Sequence, residues 1–187
     1  AHYKAKRKNG HRPHLGGSQI GNECARALWY QFRHMDRGVF DGRQLRLFET
    51  GDREESRLVE NLRAVGVTVW DRDPETGKQI AFSECAGHFA LSLDGVLEGL
   101  RESGQPHTFE AKTMNDKNFA ALKRDGVEKS KPVYYAQCQI GMHLSGLQRC
   151  AFIAVCKSTD EIYMERIKYD PVMGLQLVAK AEAIIFS

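Results

Sequence analysis

Residues Leu91 to Thr113 read LSLDGVLEGLRESGQPHTFEAKT, and the rest of the chain is best read outward from them. Two apolar runs, 96–100 and 108–113, flank a turn around Ser103-Gly104-Gln105-Pro106, which is the pattern of a β-hairpin. Side chains alternate along a strand, so Glu110 and Lys112 project from one face. With the hairpin centred near residue 103, Asp94 falls opposite Lys112, and Glu110 lies one step away. Two carboxylates and an amine then converge at the open end of a sheet. Charges in such an apolar setting are costly to bury unpaired. A hydrated Mg²⁺ resolves the cost, because one or two carboxylates bind it while water and a substrate phosphate complete its octahedron. A metal there lowers the pKa of a bound water and polarises a phosphoryl oxygen. Lys112 would orient that water, help deprotonate it, or steady the developing charge. Among the 24 acidic residues only Glu110 has a lysine two places on. The same spacing also suits an ordinary ion pair on an edge strand.

Outward from the hairpin, the pattern alternates between helices and strands. ECARALWYQFR (23–33) reads as a helix, 36–44 as a loop, and 51–65 as a second helix. In that second helix Leu58, Val59, Leu62 and Val65 make one apolar face. Val67 to Trp70 is a short strand, DRDPETG (71–77) a turn, and 79–82 and 88–93 are strands. A short basic helix is expected over 115–127, and Pro132 opens another that runs to about Ser145. Strands 149–157 and 161–167 cross at Ser158-Thr159-Asp160, and Pro171 starts a last helix. The order predicts a single α/β domain, a central mixed sheet flanked by helices.

The chain has 187 residues, 42% of them hydrophobic, which suits one compact domain. Its five cysteines are odd in number and lack C-x-x-C spacing, so no disulfide framework is expected and the default is a reducing cytosol. No run of about 18 apolar residues marks a membrane span, and no apolar segment follows the basic start as in a signal peptide. The net charge of +3 is uneven. Residues 1–22 hold Lys4, Lys6, Arg7, Lys8 and Arg12 and nothing acidic, which leaves −2 for the remainder. The expected organisation is a basic arm over 1–17, suited to phosphate attraction or to solubility, and one domain over 18–187.

Five ordered pieces resemble the PD-(D/E)xK nuclease superfamily, specifically its RecB-like, phage-type exonuclease branch. They are SQIGNECARALWY (18–30), TGDREESRLVENLRAVGVTVW (50–70), LDGVLEGL (93–100), FEAKT (109–113) and YYAQCQIGMHLSG (134–146). Together they span roughly residues 15–170. The resemblance implies a restriction-endonuclease-like core that binds Mg²⁺, with Mn²⁺ as a substitute. Glu55, Asp94 and Glu110 would be the metal ligands, joined by the main-chain carbonyl of Ala111. Lys112 matches the catalytic lysine. Gln137 matches the helix glutamine that positions substrate or the carboxylates. The implied activity is metal-dependent hydrolysis of DNA at linear or single-stranded ends, in recombination or repair. The implied setting is a bacterial or phage-infected cytoplasm with no membrane, and a homo-oligomer or a recombination partner protein is compatible with it. The alternatives are a catalytically silent DNA-binding or assembly protein that keeps the fold, and an endonuclease.

Two departures from the branch stand out. Where it often has Tyr, four residues after the glutamine, this chain has Gly141, and Tyr134 and Tyr135 lie on the other side of Gln137. Cys24 fits the first ligand of the iron–sulfur members, but Cys150 and Cys156 do not complete a trio, so no cluster is expected. Several residues keep plainer readings. Glu55 also suits a capping box with Asp52. Trp29 and Phe32 suit a core as well as base stacking. Residues 115–131 suit a solvated mixed-charge face as well as a DNA path.

Overall fold

The computed structural model describes residues 13–33, 40–101 and 104–187. The strands in chain order are β1 (Leu15–Gly16), β2 (Thr68–Trp70), β3 (Ala81–Glu84), β4 (Phe89–Ser92), β5 (Gly95–Glu98), β6 (His107–Met114), β7 (Arg149–Cys156) and β8 (Ile162–Lys168). The helices are α1 (Ala25–Phe32), α2 (Gly42–Ala64), α3 (Asp116–Ser130), α4 (Pro132–Ser145) and α5 (Pro171–Ile185).

β7 is the centre of the fold. From Cys150 to Cys156 every residue is buried, as expected of a strand covered on both faces. β6 pairs with it in parallel and β8 antiparallel. β5 and β2 extend the sheet, giving the order β2-β5-β6-β7-β8. Alternation along β7 divides the core. Ala151, Ile153 and Val155 pack with Phe109 and Leu97 against Leu58 and Val59 of α2. Cys150, Phe152 and Ala154 pack with Phe119 and Leu122 of α3 and Cys138 and Met142 of α4. Burying each large side chain of this kind contributes about 1.5–3 kcal/mol. A second, three-stranded sheet, β1-β4-β3, joins α1, α4 and α5 around Phe89, Ile140 and Ala181. The predicted α/β architecture with a mixed sheet and flanking helices is therefore the observed one. The single expected sheet is two.

Several expected boundaries move. α2 begins at Gly42, well before residue 51, because Asp41 and Gln44 form a reciprocal capping box. Residues 42–44 are thus helical, and 36–39 of the expected loop lie outside the described residues. Asp52 sits inside the helix, so it does not cap with Glu55. β3 starts two residues later than expected. Gln79 instead donates its side-chain amide to the carbonyl of Leu93 at 3.2 Å. α3 runs past 127 to Ser130, with a break at Gly126, whose φ of 73° an L side chain resists. Beyond that break the Val127 N–H is taken up by Glu165 Oε2 at 2.8 Å. Residues 1–12 of the expected arm lie outside the described residues. Leu15 and Gly16 pair with Phe89 and Ala90.

The segment after β1 lies directly on α4. A Cβ added to Gly21 would stand 2.7 Å from both Ala136 Cβ and Val133 Cα. Lys180 fixes the same segment from α5, donating to the carbonyls of Ile20 at 2.8 Å and Asn22 at 2.5 Å. A Gly21→Ala variant is expected to lose about 1–3 kcal/mol of stability through overpacking. Urea unfolding followed by circular dichroism measures it.

Candidate active site

The β5–β6 ladder pairs Gly95 with Phe109, Val96 with Thr108 and Leu97 with His107. That register differs by two residues from the sequence expectation. A slip of two keeps every side chain on its face, but it brings Asp94 into line with Glu110 instead of Lys112. The ladder ends at the Gly95–Phe109 pair. One residue beyond, a side chain replaces the strand: Asp94 Oδ2 accepts the backbone N–H of Ala111 at 2.8 Å.

Glu110, only 4% exposed, is held on both oxygens. Lys112 Nζ donates to Oε1, and Gln137 Nε2 donates to Oε2 at 2.9 Å. Pro132 begins α4 at its first position, and the helix carries Gln137 over the sheet. Tyr134, three residues earlier and so on the same helix face, places its ring 5.2 Å from Lys112 Nζ, measured to the centroid. Glu55 arrives from α2. It is half-buried and receives no hydrogen bond among the described residues, while the charges of Asp94, Asp52, Lys112 and Asp71 all act on it.

The electrostatics are those of crowded anions. Burial first, then Asp94 and Asp52, push Glu55 up to about 7. Burial pushes Glu110 up to about 8, with Asp94 and Glu55 adding to the rise and Lys112 opposing it. Asp94 is raised by burial against the pull of Lys112 and the Ala111 N–H. Burial works against the Lys112 ammonium, yet Glu110 and Asp94 outweigh it and hold the proton more tightly than usual. One ammonium thus faces three carboxylates. Among the described residues no group of three or more His, Cys, Asp or Glu side chains stands in place to hold a metal ion. The donors are nevertheless all hard oxygens in negative excess, the chemistry that suits a hydrated Mg²⁺ or Mn²⁺ and not a soft metal.

The six residues singled out from sequence, Glu55, Asp94, Glu110, Ala111, Lys112 and Gln137, come together at this one end of the large sheet. Sequence reasoning missed the approach of Tyr134 to Lys112, although its spacing from Gln137 on a helix is the signal for it. Asp71, whose charge reaches Glu55 while Arg63 pairs with it at 2.7 Å, was also missed. Position 141 is tightly packed, since a Cβ on Gly141 would lie 3.2 Å from Leu93 Cδ2 and 3.4 Å from Leu91 Cδ2. Cys24 is exposed at the start of α1, whereas Cys138, Cys150 and Cys156 are buried in the α3–α4 side of the core. Trp29 and Phe32 pack against the α1–α5 core. On α3, Lys123 pairs with Glu161 and Arg124 with Asp125, so much of its positive charge is already answered.

Comparison with solved structures gives the same fold. An alkaline exonuclease (LHK-Exo) from Laribacter hongkongensis superposes with a TM-score of 0.65 at 18% identity, covering 99% of this chain and 90% of that one. LHK-Exo in complex with dAMP gives 0.63 at 17% identity, over 92% and 86% of the two chains. A phage-related exonuclease from Haemophilus somnus 129PT gives 0.56 at 12% identity, over 98% and 95%. No protein-family profile and no curated protein matches the sequence. The chain therefore has the fold of these exonucleases, at a sequence distance that leaves the site to be argued from its own residues.

Glu55 and Glu110 bind protons more tightly folded than unfolded. Their contribution to stability is then full below about pH 4.5 and is lost as pH rises through about 7 and 8. In chelator, the melting temperature is expected to fall between about pH 4.5 and pH 8. Glu55→Gln should flatten that fall, and thermal melts followed by circular dichroism across the range check it.

Proposed function

We propose that the chain is a divalent-metal-dependent deoxyribonuclease that hydrolyses phosphodiester bonds at DNA ends. The observation that carries this reading is the convergence of Asp94, Glu110 and Lys112 where the β5–β6 ladder stops, with Glu55 beside them. Glu55, Asp94, Glu110 and the Ala111 carbonyl would hold Mg²⁺ or Mn²⁺. Such an ion, when bound, supplies a Lewis acid and an activated water.

The chain's own groups divide the remaining work. Gln137 fixes the plane of the Glu110 carboxylate through its amide, as an outer-shell partner fixes a ligand. The Ala111 N–H does the same for Asp94. Lys112 keeps its proton at working pH and so offers positive charge to the phosphoryl oxygens as charge develops on them. Burial of these groups keeps the local dielectric low and strengthens each of the interactions. The exonuclease fold of the neighbours supports action at ends, and the dAMP bound by one of them is a nucleotide of the kind such cleavage releases. A role in recombination or repair follows from that reading. No helix among the described residues is long and apolar enough to cross a membrane.

The test uses linear double-stranded, single-stranded and closed circular DNA, with Mg²⁺, Mn²⁺ or chelator. Linear DNA should be degraded only with metal, and closed circles should survive. Lys112→Ala and Asp94→Ala should each lower the rate at least about a hundredfold. Cleavage that persists in both variants would remove this site from the chemistry. Equal loss of circles and linear DNA would point to an endonuclease, and no cleavage at all would favour a silent DNA-binding protein.

The basic arm is part of the same proposal. Deleting residues 1–14 is expected to weaken DNA binding and flatten its salt dependence, by about 0.7–0.9 in the log–log slope for each phosphate the arm neutralises. Binding titrations from low to moderate salt measure that slope. Metal affinity should not change.

A further inference from the structure

A nearly buried ammonium needs more than one partner, and Lys112 has two of different kinds. Its Nζ donates to Glu110 Oε1 and also sits 5.2 Å from the centre of the Tyr134 ring. Gln137 donates to Oε2, so both oxygens of Glu110 already have a partner. A divalent cation bound to either oxygen repels the ammonium held on Oε1 and drives it away. Two cations cannot share one carboxylate oxygen at close range without strong repulsion.

The ammonium then requires a place that keeps it in the site. The Tyr134 ring is already beside it, and an aromatic face attracts an ammonium most strongly where water is excluded. That ring is itself fixed. It stacks on Phe152 at 6.3 Å and 29°, and it packs against the core around Met142 and Cys150. Helix α4 carries both Tyr134 and Gln137, so one rigid element fixes the acceptor of the displaced amine and the partner of the remaining carboxylate oxygen.

We propose that Tyr134 is a positioning residue for Lys112: its ring receives the ammonium when a divalent cation takes Glu110, so that lysine and metal exchange on one carboxylate. The proposal rests on the metal-dependent reading of this site. It makes Lys112 a competitor of the metal as well as a participant in the chemistry.

The test measures Mn²⁺ dissociation constants by titration calorimetry or electron paramagnetic resonance, without DNA. Wild type is compared with Lys112→Met, Tyr134→Phe, Tyr134→Leu and the Lys112→Met/Tyr134→Leu double variant. Removing the competing ammonium should tighten Mn²⁺ binding at least about tenfold. Tyr134→Phe keeps the ring and should bind as wild type does. Tyr134→Leu should bind about fivefold more weakly, since the lysine then has no alternative place. In the double variant the Tyr134 effect should vanish, because no lysine remains to be received. A loss of the same size in both backgrounds would mean that Tyr134 merely supports the packing, and would overturn the proposal. So would a Lys112→Met variant that binds no tighter than wild type. Thermal melts accompany each variant, and if Tyr134→Leu fails to fold, the Lys112→Met and Tyr134→Phe results decide. Mn²⁺ binding that is equal in all variants removes this exchange alone. Absence of Mn²⁺ binding in every protein removes the metal site, and the exchange with it.

Discussion

A carboxylate buried within a sheet, where a neighbouring strand stops, sets the terms for much of this molecule. Glu110 lies on β6, between the parallel ladder to β7 and the short antiparallel ladder to β5. Left unpaired there, its charge would be too costly to keep. Its two partners come from different parts of the fold. Lys112 is local, two residues along the same strand. Gln137 is remote in sequence, and its arrival depends on the whole path of α3, the Gly126 break and the Pro132 start of α4. The demand for a second hydrogen bond at Glu110 therefore ties helix placement to the site's charge.

The two faces of the large sheet contribute unequally. α2 packs Leu58 and Val59 against one face and, a turn before them, brings Glu55 to the sheet's end. α4 packs the other face and brings Gln137 and Tyr134. The carboxylates thus come from α2, from the link between β4 and β5 and from β6, with α2 and β6 sharing one apolar cluster and α4 packed in others. Such division gives rigidity, since the helix-borne side chains ride on elements anchored by core packing. It also leaves little room at position 141. There α4 approaches Leu91 and Leu93 of the small sheet closely enough that glycine fits and a bulkier side chain must displace them.

The residues that carry strong local signals were legible in the sequence. Alternation put Glu110 and Lys112 on one face, the Pro132 start fixed α4, and residues 149–157 read as a strand. The register of the hairpin was less so, because the segment between Leu100 and His107 admits more than one closing geometry. Its slip of two residues changed Asp94's neighbour without changing its face. The start of α2 was hidden for a different reason. Its cap lies in a polar, glycine-containing stretch, and its first three turns bury little beyond Leu45, so the apolar periodicity emerges only near Leu58. Glu55 was placed through resemblance and not through that pattern. Tyr134 carried a partial signal in its helical spacing from Gln137, but its contact with Lys112 joins a helix to a strand and needed three dimensions. The small sheet was illegible as a separate unit, since strand pairing between β1 and β4 joins segments more than seventy residues apart.

Asp94 occupies the gap where β5 has ended and β6 continues. A strand edge that stops short usually leaves bare amide groups, an invitation for a foreign chain to extend the sheet. Here the first exposed amide beyond the ladder, that of Ala111, is already capped by a carboxylate. An incoming strand would have to displace that bond and bring its own carbonyls against a cluster of negative charge. The acidity gathered at this end thus closes the amide that the early stop of β5 would leave bare, in the interior of the sheet order and away from its outer strands β2 and β8.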